Sequence, residues 1–186
     1  LTKTDTINLI IEEGIMLELG IPNNRKFKEN FEKYKQDTKN KDIRNERHIF
    51  KNNAKYMISS TMFFVLIVAV AIIGMYDLLI ISKTFDYRII LYLGLTVYGM
   101  YGFLKIYTHK IIIENNNIIY KKQKIDILKI ESAIVKIMKI SSKKLDRCLV
   151  IKVDNKQYIY RLNLEDVYKF LQIIESYTKD KFIIEE

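Results

Sequence analysis

The sequence predicts an α+β membrane protein: a two-helix transmembrane hairpin, a C-terminal antiparallel β-sheet or barrel closed by one α-helix, and a helical N-terminal arm. Three observations predict it. Tyr56 to Tyr76 is a run of 21 residues without a formal charge, and at about 1.5 Å per residue it spans about 30 Å, the hydrocarbon thickness of a bilayer. A second uncharged run, Ile89 to Leu104, follows after a short polar stretch. Beyond it, short β-type runs separated by polar turn residues give way to one segment of helical period.

The arm, residues 1–55, divides in two. Over residues 4–20, Ile7, Ile10, Ile11, Ile15, Leu17 and Leu19 form a broad apolar face beside Glu12, Glu13 and Glu18. Thr4 or Asp5 is placed to cap this helix, and Gly20 with Pro22 ends it. Its acidic side disfavours an anionic membrane, so the expected seat is a partner helix or the body of the protein itself. Residues 23–55 carry eleven basic and five acidic residues, with Phe27, Phe31 and Tyr34 at i, i+4, i+7. That pattern predicts a short helix and then a solvated basic linker. No folded nucleic-acid motif accompanies the charge, so nucleic acid is not an expected partner.

The hairpin is assigned to 56–107, with spans 56–76 and 87–107 bracketed by Tyr56, Tyr76, Tyr87 and Tyr107. Tyrosines favour the membrane interface, and Arg88 and Lys105 can snorkel at the ends of the second span. Gly94, Gly99 and Gly102 let a neighbouring helix approach closely, although their spacing is not GxxxG. Seven Lys and Arg residues, Lys35 to Lys55, precede the first span. Lys105 and Lys110 follow the second, whereas in the connection Asp77 and Asp86 balance Lys83 and Arg88. The positive-inside rule then puts both termini in the cytoplasm and turns the connection of about a dozen residues outward, in a multi-pass protein of the cell membrane. The polar, acidic start of the chain is not a signal-peptide pattern.

Residues 108–186 carry 16 basic and 11 acidic residues and neither Gly nor Pro. Ile111–Ile113 and Ile118–Tyr120 read as strands joined at Asn115–Asn117, since Asn tolerates the left-handed conformation of a tight turn. Lys124–Ile127 alternates as a half-buried strand, and Ile130–Ile140 is another, with a change of phase near Ile134–Val135 that a bulge would explain. Ser141–Arg147 reads as a polar turn. Cys148–Val153 and Tyr158–Leu162 form a hairpin around Asp154–Asn155. Asn163 is placed as the cap of a last helix whose Val167, Phe170, Leu171, Ile174 and Tyr177 make one apolar stripe.

The juxtamembrane Tyr107-Thr108-His109-Lys110-Ile111, the passage Lys124 to Ile134 and the terminal helix, taken in that order over residues 57–178, resemble the bacterial pleckstrin-homology-like (PH-like) domains that follow a transmembrane hairpin. In this chain Asn115–Asn117 stands where members often carry a glycine. The resemblance implies a PH-like sheet or barrel closed by its helix and displayed at the membrane face. The arm, residues 1–50, has no counterpart in it.

Length and composition narrow the function. In 186 residues, 31 Lys and Arg stand against 22 Asp and Glu, a net charge of +9. One Cys excludes an intramolecular disulfide framework and a Cys-rich zinc site, and two His are too few for a His-based metal cage. There is no Gly-rich phosphate loop, GxSxG, HExxH or CxxC. Cys148 lies within a strand with no base near it in sequence, so it is expected in or near the core. The expectation is a non-enzymatic protein without cofactor or metal. Lys121, Lys122 and Lys124 by the second strand, with Lys143, Lys144 and Arg147 in one turn, are the candidate contacts to anionic lipid headgroups or a partner. Three functions are compatible: an anchored module that binds a partner protein or a second copy, a self-protection protein against an antimicrobial peptide, and an accessory subunit of a membrane transporter or enzyme.

Overall fold

A computed structural model describes residues 23–38, 46–83, 86–141 and 144–185, with the backbone alone at 141 and 144. The helix expected over 4–20 and the candidate Lys143 lie outside the described residues. The chain divides into two compact units, one of residues 51–110 and one that joins residues up to 50 with 111–186.

The inserted unit holds two apolar helices. Helix α2 (Ala54–Tyr76) starts at Asn53, whose side-chain oxygen accepts from the Tyr56 N–H at 2.7 Å. It does not stop at the first charge: a π-helical turn, Asp77–Ile81, carries it on, so the helical run reaches 28 residues. The connection is therefore shorter than the dozen residues expected, because Leu78–Ile81 are apolar enough to extend the run past Asp77. Helix α3 (Arg88–Tyr107) follows. Both helices are long and apolar enough to cross a membrane. They pack through small residues: a Cβ at Gly99 would strike Val68, one at Gly102 the Phe64 ring and one at Gly74 the Tyr92 ring. Gly94 meets nothing, so it is not part of that contact.

The other unit is α+β. Helix α1 (Asn24–Asp37) precedes strand β1 (His48–Lys51). After the insertion come β2 (Lys110–Glu114), β3 (Asn117–Tyr120), β4 (Gln123–Asp126), β5 (Ser132–Ser141), β6 (Lys144–Val153) and β7 (Lys156–Arg161). Helix α4 (Val167–Thr178) and strand β8 (Phe182–Ile184) complete it. The strands pair as two four-stranded sheets, β1-β2-β3-β4 and β7-β6-β5-β8, rather than as one closed barrel. The second sheet is mixed, because β8 runs parallel to β5.

Turn chemistry sets the hairpins. Asn115 and Asn116 (φ 50° and 60°) join β2 to β3, and Asp154 and Asn155 (φ 46° and 61°) join β6 to β7. Two successive left-handed residues match the twist of the flanking strands, and Asn and Asp bear that conformation best. The register irregularity in the β5–β6 pair falls between Lys139 and Ser141, not at Ile134–Val135. Lys144–Arg147, expected as turn, is the first part of β6. Helix α4 starts at Asp166 instead of Asn163, and Asn163 donates to Asp146 Oδ2 at 3.0 Å.

One core joins both pieces of this unit: Phe27, Phe31 and Phe50 from before the insertion, and Ile111, Ile118, Leu149, Ile151, Phe170 and Ile174 from after it. Phe50 meets Phe170 edge-on at 5.1 Å. Segment 23–50, expected as a helix and solvated linker apart from the C-terminal domain, thus supplies a helix, a strand and three buried rings to it.

Candidate interaction site

The β3–β4 turn gathers three of the candidate cations. Lys121 and Lys122 form the turn and Lys124 lies on β4 opposite Ile119. All three are exposed, and the Lys121 ammonium lies 5.0 Å from the centre of the Tyr120 ring. Lys121 adopts φ 54°, a left-handed conformation that Asn or Gly would hold with less strain. Three exposed cations in four residues attract an anionic surface, at about 1 kcal/mol per Lys near a membrane.

Arg147 is not part of that cluster. It lies on β6, in the other sheet, and its donors are used within the fold. Its Nε donates to Asn24 Oδ1 at 2.8 Å and its Nη2 to the Asn23 carbonyl at 2.7 Å. Its guanidinium lies flat enough to sit 4.0 Å from the centre of the Phe27 ring. Burial pulls its pKa below the usual guanidinium value, while Tyr168 and Asp146 pull the other way. Arg147 therefore anchors α1, and its spacing from Lys143 and Lys144 gave no sign of that. Lys144 opens β6.

Beside Arg147, Asp146 is the centre of a polar cluster. It accepts from Arg161 Nε at 3.0 Å, from Arg161 Nη2, and from Asn163. Only 11% of its side-chain surface is exposed, so the ion pair works in a partly dry setting. Cys148 is fully buried. Burial pushes its thiol pKa up, Asp146 adds to the shift, and Arg161 opposes it. A thiol held protonated is a poor nucleophile.

The groove between the second sheet and α4, a natural seat for a partner helix, is already filled. Helix α1 lies in it: Phe27 and Phe31 contact Tyr168 at 5.2 and 6.2 Å, and Phe31 contacts Phe182 at 5.9 Å. Lys35 donates to Glu175 at 2.8 Å, and Gln172 donates to the Thr38 hydroxyl at 3.1 Å. Among the described residues the sheets end in the edge strands β1, β4 with its lysines, β7 and β8. Among the described residues no cluster of three or more His, Cys, Asp or Glu could hold a metal ion.

Family models, curated proteins and solved structures were compared with the chain, and none matches.

Proposed function

We propose that this protein is a non-enzymatic integral membrane protein. In this reading α2 and α3 cross the cell membrane as a hairpin, and the α+β unit is a PH-like interaction module at the cytoplasmic face. There it binds a partner protein or a second copy, with the lysines of the β3–β4 turn held near anionic headgroups.

The observation that carries this reading is the discontinuous α+β unit. Residues up to 50 and residues from 111 share one core, and a bilayer cannot pass between two halves of one core. An insertion with two apolar helices satisfies that condition, since it leaves and returns on the same side. The flanking lysines select the cytoplasmic side, and the PH-like assignment rests on the strand-and-helix order alone.

Single-cysteine labelling in intact cells tests the topology, in a Cys148→Ser background. A membrane-impermeant thiol reagent should modify Ser82→Cys and leave Lys156→Cys untouched. Labelling of Lys156→Cys in intact cells overturns the cytoplasmic assignment. The binding half is tested with a photocrosslinking residue at Lys124 in the full chain. A discrete adduct, to a protein or to a second copy, is expected; crosslinks to lipid alone overturn it.

A further inference from the structure

Helix α3 carries tyrosines and a glycine on a side that α2 does not use. A Cβ at Gly99 or Gly102 would strike Val68 or Phe64 of α2, but one at Gly94 meets nothing within 4 Å. Leu91, Gly94, Tyr98 and Tyr101 recur at i, i+3, i+7 and i+10, so they share one face, with Tyr87 and Lys105 at its ends. That face is open: Tyr87, Tyr98 and Tyr101 are 80%, 56% and 64% exposed. The exposed side chains of α2 from Met62 to Ile73, by contrast, are all apolar. A surface that meets only acyl chains needs neither tyrosine hydroxyls nor a glycine.

In a bilayer that face is costly when bare. Tyr98 lies ten residues from Arg88 and nine from Tyr107, about 14 Å or more from either end of the helix. Helical side chains lean toward the N-terminus, so the Tyr101 hydroxyl also lies toward the middle. The other hydroxyls of α3 are used: Thr96 donates to the Tyr92 carbonyl at 2.9 Å, and Tyr107 shares a hydrogen bond with Thr61 at 3.3 Å. Among the described residues the Tyr98 and Tyr101 hydroxyls have no hydrogen-bond partner. Hydrocarbon offers none. A protein neighbour with an acceptor at the same depth supplies it.

We propose that this face of α3 pairs with the same face of α3 in a second copy, as a homodimer contact within the membrane; the proposal rests on the membrane-spanning reading above. Both copies insert in the same direction, so the two helices run parallel, and a two-fold axis brings Gly94 against Gly94 of the second copy. The missing Cβ lets the backbones approach and bares carbonyls to the tyrosine hydroxyls of the opposite helix. The face is therefore complementary to itself. At about 200 Å² per tyrosine, the open parts of Tyr87, Tyr98 and Tyr101 amount to about 400 Å², half of the about 800 Å² per partner in a standard interface. The exposed Ile90, Leu91 and Val97 add to it.

The test uses the full chain in lipid vesicles, where excess detergent does not separate the copies, in a Cys148→Ser background. Gly94→Cys should form a disulfide between two chains on mild oxidation, and Met100→Cys, exposed on another side of α3, should not. Copies labelled with donor or acceptor at Lys156→Cys should show energy transfer that falls as lipid is added. Gly94→Leu should raise the dissociation constant at least tenfold. Tyr98→Phe with Tyr101→Phe, which keeps the rings and removes only the hydroxyls, should do the same. Transfer unchanged in either variant points to pairing through the α+β unit and overturns this proposal alone. Absent transfer, or equal disulfide formation at both positions, also overturns it. Release of the chain from membranes by alkaline carbonate overturns the membrane reading, and this proposal with it.

Discussion

The guanidinium of Arg147 on β6 stacks on the ring of Phe27 in α1 at 4.0 Å. The same side chain bonds Asn23 and Asn24 at the start of that helix. Arg147→Lys keeps the charge but loses the planar fork and the stack. It should lower unfolding stability by roughly 1–2 kcal/mol, and Arg147→Ala by roughly 2–3 kcal/mol. Denaturant unfolding of the purified protein measures both. Hydrogen exchange should rise first in residues 24–37.

Lys121 gives the opposite sign. Its φ of 54° favours Asn, so Lys121→Asn should raise stability by about 0.5–1 kcal/mol. The triple change Lys121→Gln, Lys122→Gln, Lys124→Gln should weaken binding to anionic vesicles by tenfold or more at low salt, at about 1 kcal/mol per Lys. Arg147→Lys should leave that binding unchanged. Co-flotation of the detergent-diluted full chain with the vesicles reads the difference.

Phe31 is fully buried between Tyr168, Phe182 and the sheet. Phe31→Ala should cost about 3–5 kcal/mol, as large-to-small changes in a packed core do. Phe31→Leu should retain most of that stability. If both variants unfold at the same denaturant concentration as the parent, α1 is not part of the core.

The apolar helices offer a contrast among three glycines. Gly99→Leu and Gly102→Leu would drive side chains into Val68 and Phe64, whereas Gly94→Leu meets open space. The first two should lower the thermal midpoint in detergent by several degrees, at about 1–3 kcal/mol for overpacking. The third should leave it within a degree or two.

Alkaline pH should destabilise the α+β unit. Burial raises the pKa of Cys148 from 9.0 and those of Tyr160 and Tyr34 from 10.0. For Tyr160 the neighbouring Tyr158 and Tyr120 add to burial, and for Tyr34 Asp166 does. Each group is neutral in the folded state over a wider range than in the unfolded chain. The unfolded state therefore releases protons first as pH rises, and stability that is complete below the unfolded values falls above them. Unfolding midpoints should be flat to about pH 8 and decline from about pH 9 upward. Cys148→Ala should reduce the slope between pH 9 and pH 10.

The two tight hairpin turns and the last helix are legible in the sequence because their physics is local. Asn115–Asn117 and Asp154–Asn155 mark turns because of what their own backbones tolerate. The stripe Val167, Phe170, Leu171, Ile174 is a helix because its period is its own. Strands β1 and β8 escaped notice because four and three residues carry too little alternation, and each exists only by pairing with a strand already in place. Arg147 looks like a companion of Lys143 and Lys144 in the sequence because spacing cannot show a partner 123 residues away. Asn163 had the residue type of a helix cap, but Asp146 competes for its amide. Of the candidate site, the lysines at 121, 122 and 124 are legible as a group because a two-residue turn and the start of the next strand keep them adjacent along the chain.

The interruption of the α+β unit by residues 51–110 also dictates an order of events at the ribosome. Phe27, Phe31 and Phe50 are synthesised first, yet Phe170 and Phe182, which they pack on, emerge more than a hundred residues later. At 5–20 residues per second, those rings wait for roughly 6–30 seconds without their partners. Nascent chains arrested before residue 170 should accordingly be protease-sensitive in residues 23–50 and recruit chaperones there, whereas chains released at full length should not.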